Sequence, residues 1–287
     1  MHYFLYNINM KLIADSGSTK TAWAVVETNK IITTSGINPV FMDVNTITDI
    51  LQTSLKPNLK EDITEVYFYG AGCASEEKNN IIKEALTSVF GDIKVEVASD
   101  LLGAARGLLG SADGIACIMG TGSNSCLYEN GKISWNVPAL GFILGDEGSG
   151  AVLGKLLMGN IFKNQLPKAV IEDFKATYNL SMMDVIEKVY RTPLPNRFLA
   201  SFGPFIAKHK EVPEMKSMLT DALESFIVRN VKQYPYNTIP VSFTGSIAYY
   251  FSDILRELAD KHNFTIDKIE KDPLQGLVEY HKNLKKS

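Results

Sequence analysis

Short apolar runs separated by small and polar residues recur along the chain in two rounds. In the first round, the runs at 11–15, 22–27 and 30–34 are β-branched and bounded by turn residues, which predicts three strands. Gly36-Ile37-Asn38-Pro39 interrupts the pattern as a loop. A helical period covers 44–55, with Asn45 or Asp43 available as its cap. Val66-Tyr67-Phe68-Tyr69 predicts a fourth strand that ends in Gly70-Ala71-Gly72. A helix follows over 78–90, and Ser75-Glu76-Glu77 ahead of it places acids where a helix N-terminus favours them. The run at 94–97 predicts a fifth strand ending at Ser99-Asp100, and 101–109 a helix of small residues.

The second round repeats the order. Strands are predicted at 115–119, 123–128 and 132–137, joined by Gly120-Thr121-Gly122 and by Glu129-Asn130-Gly131, whose Asn-Gly pair is a strong hairpin signal. A helical insertion runs over 147–205, and an amphipathic helix over 215–231. The strand at 241–243 ends at Thr244-Gly245-Ser246, ahead of a helix at 247–261, a strand at 264–269 and a helix at 273–282. Both halves read as three strands, helix, strand, glycine turn, helix, strand, helix. Topology is duplicated where residues are not. The expectation is an α/β chain of two domains, 10–112 and 113–272, with the C-terminal helix 273–286 returning to the first. Facing each other across a cleft, such domains would line it with both Gly/Ser/Thr hairpins.

Composition narrows the function. With 287 residues the chain is long enough for two cores. Its 29 Lys+Arg against 32 Asp+Glu leave a net charge of -3 without a basic stripe, which argues against nucleic-acid binding. No run approaches a membrane span in length. Residues 1–9 lack the features of a signal peptide and read as an extension ahead of a natural start at Met10. Cys73, Cys117 and Cys126 show no Cys-x-x-Cys spacing, and cytoplasmic free thiols are the simplest account.

Candidate chemistry concentrates in the turns. In Asp15-Ser16-Gly17-Ser18-Thr19-Lys20-Thr21 an apolar strand delivers a carboxylate into a turn of small residues, hydroxyls and a cation. Such a turn can aim N–H groups at an anion, and the aspartate can hold a metal through water. Gly120-Thr121-Gly122-Ser123-Asn124 is its counterpart, with a backbone that can approach a polyphosphate closely. Asp100 closes a strand ahead of a helix, where it reads equally as a helix cap and as a proton acceptor. Gly145-Asp146-Glu147-Gly148 sets acids that could accept sugar-type hydroxyls, and Thr244-Gly245-Ser246 could admit a nucleotide. There is no Gly-x-x-x-x-Gly-Lys-[Ser/Thr] loop, Gly-x-Gly-x-x-Gly fingerprint or His-Glu-x-x-His motif.

In this order the motifs resemble those of the sugar-kinase/actin/heat-shock ATPase superfamily. Within it the chain looks like the BadF/BadG/BcrA/BcrD-type ATPases, the group that includes N-acetylglucosamine kinases. The resemblance spans residues 10–280, and the Gly-Thr-Gly-Ser-Asn and Gly-Asp-Glu-Gly-Ser pair is its specific part. It implies two duplicated actin-like (ribonuclease H-like) domains, ATP and Mg²⁺ as cofactors, a cytoplasmic homodimer and phosphorylation of an amino sugar at its 6-hydroxyl. By the same resemblance, Asp15 would organise Mg²⁺ through water, and Gly17, Ser18, Thr19 and Lys20 would approach the β- and γ-phosphates. Gly120, Thr121, Gly122 and Ser123 would form the opposing clamp, and Gly245 and Ser246 would contact the adenosine side. Asp100 would be the base, while Asn38, Gly72, Asn124 and Asp146 would hold the sugar.

One departure stands out. Related amino-sugar kinases often place Trp just before the Gly-x-x-x-Gly-Asp-Glu-Gly segment, where this chain has Ala139-Leu140-Gly141. The pocket floor therefore differs, and N-acetylmuramic acid or glucosamine enters as an alternative to N-acetylglucosamine. The same group contains ATPase activators of radical dehydratases and reductases, which share an iron–sulfur cluster between subunits through cysteines. A sugar sensor without catalysis is a third reading, against which both carboxylates needed for phosphoryl transfer, Asp15 and Asp100, are present.

Overall fold

The structure, a computed structural model, describes residues 10–284. Residues 1–9, read from sequence as an extension, and the end of the helix expected to reach 286 lie outside the described residues. The chain divides into two compact units. One holds the residues up to Gly110 together with those from Pro273 onward, and the other is Ser111–Asp272.

The first unit is built on five strands: β1 (Met10–Ser16), β2 (Lys20–Val25), β3 (Lys30–Ser35), β4 (Ile63–Gly70) and β5 (Lys94–Ser99). Their order is β3-β2-β1-β4-β5, with β1, β2 and β3 antiparallel and β1, β4 and β5 parallel. The central β1 is buried on both faces, which is why Leu12-Ile13-Ala14 reads as an unbroken apolar run. Leu12 and Ala14 join Trp23, Val25 and Phe68 in the core under helices Val44–Ile50 and Glu76–Phe90. Ile13 points the other way, to Ala22, Ala24, Tyr67 and Tyr69, where Leu274, Leu277 and Val278 of helix Leu274–Asn283 complete a second core.

Local capping follows the chemistry of the side chains. Asp43 accepts from Thr46 N–H at 2.8 Å and Ser75 from Lys78 N–H at 3.3 Å, each starting a helix. The period at 44–55 is helical throughout but not uniformly α. After Ile50 it widens into a π-turn, Leu51–Leu55, and closes as a 3₁₀ turn, Lys56–Asn58, whose Pro57 cannot donate to a continuing α-helix.

The second unit repeats the sheet with β6 (Gly114–Met119), β7 (Ser123–Glu129), β8 (Lys132–Val137), β9 (Val241–Thr244) and β10 (Ile266–Glu270) in the order β10-β9-β6-β7-β8. The antiparallel and parallel pairings match those of the first unit one for one. Ile115, Cys117 and Met119 of β6 face a core that holds Phe174, Phe202, Phe226 and Phe243, supplied by the helical insertion and the helix Pro213–Arg229. The insertion is five helices, from Gly150–Phe162 to Gly203–Lys208. The helix expected over 247–261 is two, Ser246–Tyr250 and Ser252–His262. Between them Phe251 leaves helical geometry (φ -115°, ψ 29°) and is buried in the core. Burial of an aromatic ring outweighs one turn of helix there.

Candidate active site

In the first unit, the parallel register brings three strand ends together. Asp15 pairs with Tyr69 and Ser16 with Gly70 across β1 and β4, and Gly70 pairs with Ser99 across β4 and β5. Asp15, the Gly70–Cys73 loop and Asp100 are thereby gathered at one edge of the sheet.

The turn between β1 and β2 sorts its hydroxyls into two groups. Ser16 and Thr21 are buried and share a hydrogen bond at 2.6 Å. Ser16 Oγ also donates to Ile37 carbonyl at 2.8 Å and accepts from Ile37 N–H at 3.1 Å, tying the hairpin to the loop that carries Asn38. Thr21, part of the stretch singled out from sequence, is therefore a structural residue. Ser18, Thr19 and Lys20 remain at the turn surface. Gly17 N–H closes the turn onto Lys20 carbonyl at 3.0 Å, while the N–H groups of Ser18 and Thr19 make no hydrogen bond among the described residues. Two consecutive unpaired N–H groups beside a lysine are a small anion-binding concavity. Asp15, on the strand just before it, is half-buried.

Asn38 and Gly72 touch. A Cβ added to Gly72, where φ is +84°, would run into Asn38 Oδ1. Asn38 is buried, and its Oδ1 accepts from Val40 N–H at 2.9 Å, which fixes the amide against the loop. Cys73 is buried in the same loop, where burial and then the charge of Asp100 push its thiol up to about 12. That neighbour of Asp100 has no signal in the sequence.

The competing reading of Asp100 as a cap resolves in favour of its neighbour. Ser99 is the N-cap of helix Asp100–Leu109 and accepts from Leu102 N–H at 3.2 Å, leaving Asp100 at the first helical position. Asp100 Oδ1 accepts from Leu101 N–H at 2.9 Å. Burial pushes the carboxyl above the usual carboxylate range, against the lowering effect of the Leu101 and Asp100 N–H groups. It keeps partial contact with solvent. A carboxylate relieved of capping and raised in basicity can act as a proton acceptor.

The second unit builds its own cluster at the corresponding strand ends. Gly120 N–H donates to Gly122 carbonyl at 2.9 Å, and Ser123 N–H to Asp146 Oδ1 at 3.3 Å. The N–H groups of Thr121 and Gly122 make no hydrogen bond among the described residues, as at Ser18 and Thr19. The carbonyls of Gly120 and Thr121 accept from Gly150 and Ala151 N–H at 2.8 and 3.1 Å, pinning the back of the turn to helix Gly150–Phe162. Ser123 Oγ donates to Glu147 carbonyl at 2.8 Å.

Asp146, expected at the sugar, lies directly under this turn. Burial raises its carboxyl to about 6, with Ser123 N–H lowering it and the Glu147 charge adding to the rise. Glu147 is held by Arg229 and Asn230. Asn124 Oδ1 accepts from Asn136 Nδ2 at 2.9 Å, a partner 12 residues away that spacing does not reveal. Gly245, at φ +113°, lies against the Met119 carbonyl and Gly120 N, so the β9 turn abuts the turn between β6 and β7, and Ser246 beside it is exposed. Among the described residues, no group of three or more His, Cys, Asp and Glu is arranged to hold a metal ion. No helix among them is long and apolar enough to cross a membrane.

Two five-stranded mixed sheets of identical order, each with a small-residue turn at its antiparallel hairpin, define an α/β protein of the actin-like ATPase fold. No protein-family model matches the chain, and no curated protein does. Among solved structures, a protein of Porphyromonas gingivalis provisionally named N-acetylglucosamine kinase is 45% identical, with 96% of this chain and 99% of that one covered at a TM-score of 0.92. The chain belongs to the family of this Porphyromonas gingivalis protein. More distant structures share the fold alone. A Chromobacterium violaceum protein of the same provisional name is 17% identical (95% and 99% covered, TM-score 0.68), and MreB 5 of Spiroplasma citri bound to AMPPNP is 12% identical (98% and 97% covered, TM-score 0.56).

Proposed function

We propose that this protein is an ATP-dependent sugar kinase that transfers the γ-phosphate to the 6-hydroxyl of an amino sugar, N-acetylglucosamine first, and that it belongs with the BadF/BadG-type ATPases. The observation that carries the reading is Asp100, a basic carboxylate freed from capping by Ser99 at the sheet edge shared with Asn38, Gly72 and Asp15. The 45% identical relative bears a provisional kinase name, which supports the same class.

In this mechanism Asp100 takes the proton of the sugar hydroxyl as its oxygen attacks the γ-phosphorus. The bond from γ-phosphorus to the bridging oxygen breaks, and ADP leaves with that oxygen. Asn38, fixed by Val40 N–H, holds the sugar beside Gly72, whose missing side chain leaves room. Asn124 and Asp146 are further sugar contacts. The N–H groups of Ser18 and Thr19, with Lys20, take phosphate oxygens, and the turn at Gly120–Ser123 is assigned to phosphate on the same ground. Gly245 and Ser246 serve the adenosine side. Asp15 is half-buried near a strand end, where a carboxylate suits Mg²⁺. That ion keeps several waters and takes one or two carboxylates plus phosphate. Bound there, it would supply charge neutralisation, the main requirement of phosphoryl transfer.

The iron–sulfur activator reading is disfavoured by the thiols. All three cysteines are buried and free, and burial pushes Cys126 up to about 12 and Cys117 well above its usual value. None is a surface thiolate ready for a shared cluster. The segment Ala139-Leu140-Gly141 leaves Leu140 63% exposed where relatives often carry Trp, so the sugar panel extends to N-acetylmuramic acid and glucosamine. The test is ADP release with Mg²⁺-ATP across that panel, with phosphate position read by NMR. Turnover on an amino sugar, with phosphate on O6, is the expected result. Sugar binding without any ADP release would favour a sensor and sink the kinase reading.

A further inference from the structure

Asp100 is only as useful as its helix is well placed. Leu101 and Leu108 bury the inner face of helix Asp100–Leu109, and Gly103, Ala104 and Gly107 let it approach its neighbours closely. A Cβ added at Gly103 would lie 2.7 Å from Tyr69 Cβ, and one at Gly107 would meet Pro273. Close approach of this kind fixes the distance between helix and sheet. Apolar packing is non-directional, and a directional hydrogen bond across it adds register.

Tyr69 supplies such a bond. It is the penultimate residue of β4, pairs with Asp15 on one side and Ala98 on the other, and is 1% exposed. Its hydroxyl accepts from Arg106 Nη1 at 2.7 Å, on the same helix as Asp100. Arg106 Nη1 also donates to Glu96 Oε1 at 2.7 Å, on β5. The hydroxyl also shares a hydrogen bond with His281 Nε2, 2.8 Å away on helix Leu274–Asn283. His281 is fully buried, and its Nδ1 makes no hydrogen bond among the described residues. One hydroxyl therefore ties together β4, the Asp100 helix and the C-terminal helix.

We infer that Tyr69 is a positioning residue for Asp100, setting the axial register of its helix through Arg106 while standing beside Asp15 in the sheet. The inference rests on the reading of Asp100 as the base. Tyr69→Phe keeps the ring that packs on Gly103 and removes only the hydroxyl. Because a displacement of about 1 Å at a reacting group costs on the order of 10²-fold, kcat should fall roughly 10- to 100-fold, with KM for ATP and for sugar within about two-fold of wild type. Arg106→Lys, which keeps a cationic donor, should recover most of the rate that Arg106→Met loses.

The Asp100 titration, followed by carboxyl-carbon NMR and assigned with Asp100→Asn, reads the same placement without turnover. In Tyr69→Phe its midpoint should fall toward the ordinary value of about 3.9 as the helix end loosens and water enters. A general loss of stability would not move that midpoint in a folded sample. A folded Tyr69→Phe with an unshifted Asp100 midpoint overturns the inference, as does Arg106→Lys proving as damaging as Arg106→Met. If the wild-type chain phosphorylates no sugar, the kinase reading fails alone, because the carboxyl titration still decides whether Tyr69 places Asp100.

Discussion

The two sheets share strand order, pairing sense and a small-residue turn, yet their edges differ in what they can do. One residue before the end of β1, in the rung before the last of its pairing with β4, stands the half-buried Asp15, whereas the same rung of the β6–β9 pairing holds Cys117, fully buried in the core. Past β5 comes Asp100, at the start of a helix. β10 ends instead in Glu270, whose carbonyl accepts from Gly245 N–H at 3.1 Å and whose side chain is exposed. Each turn leaves two N–H groups without a partner among the described residues, but only the first has a carboxylate on the strand that leads into it, whereas the second takes Asp146 from a later loop. Duplication reproduced the turn backbone, while the carboxylates reach it by different routes. Backbone N–H groups are supplied by any sequence that makes the turn, but each raised carboxyl, Asp100 and Asp146, is built by its own local burial.

That asymmetry can be broken at its strongest point first. Asp100→Asn removes a general base and should lower kcat about 10²- to 10⁴-fold, while calorimetry shows sugar still bound. A carboxylate change at the end of β10, Glu270→Gln, should leave kcat unchanged, and equal losses would mean that the two sheet edges are not chemically distinct. Asp15→Asn comes next, with a fall in kcat of roughly 10²- to 10³-fold that added Mg²⁺ does not restore. In the second unit, Met119→Leu at the end of β6 conserves volume and should cost under about 1.5 kcal/mol of stability in urea unfolding, with activity retained.

Smaller effects sharpen the structural side. Gly245→Ala places a Cβ at φ +113° against the Met119 carbonyl, and should cost about 1–3 kcal/mol with a raised KM for ATP. A normal KM would separate that turn from the nucleotide. The first unit alone should also carry an acid-sensitive lock at His281. Burial, then the charges of Arg106, Lys11 and Lys94, lower His281 from 6.5 to about 3, with Tyr67, Tyr69 and Tyr280 rings around it. The unfolded chain therefore binds the proton more readily, so stability from this group is complete above pH 6.5 and is lost as pH falls toward 3. The slope approaches about 1.4 kcal/mol per pH unit within that window. Urea midpoints at pH 7 and pH 5 should show it, and His281→Gln should flatten it.

Much of this was legible before folding was considered. Short β-branched runs, the Asn130-Gly131 hairpin, and Asp43 as a cap are local signals, and local physics answered them. The candidate site was legible as a set of turns rather than as a set of contacts. Asp100 illustrates the limit. Its type and place suit a cap and a base equally, and the outcome depended on Ser99 taking the Leu102 N–H. Thr21 shows the reverse, a residue inside a functional-looking stretch that the fold uses to hold Ile37. Phe251 broke a continuous helical period because a core formed by distant helices received its ring.

By itself, then, the sequence determined the alternation of strands and helices, the duplicated order, and the residue types offered at each turn. These follow from periodicity and backbone preference over a few neighbouring residues. The tertiary structure decided which carboxylate was freed, which hydroxyls were consumed internally, and which residue braces the Asp100 helix. Tyr69 and His281 are 212 residues apart and meet at 2.8 Å. Such contacts are set by sheet register and helix packing, quantities that exist only once distant parts of the chain have been brought together.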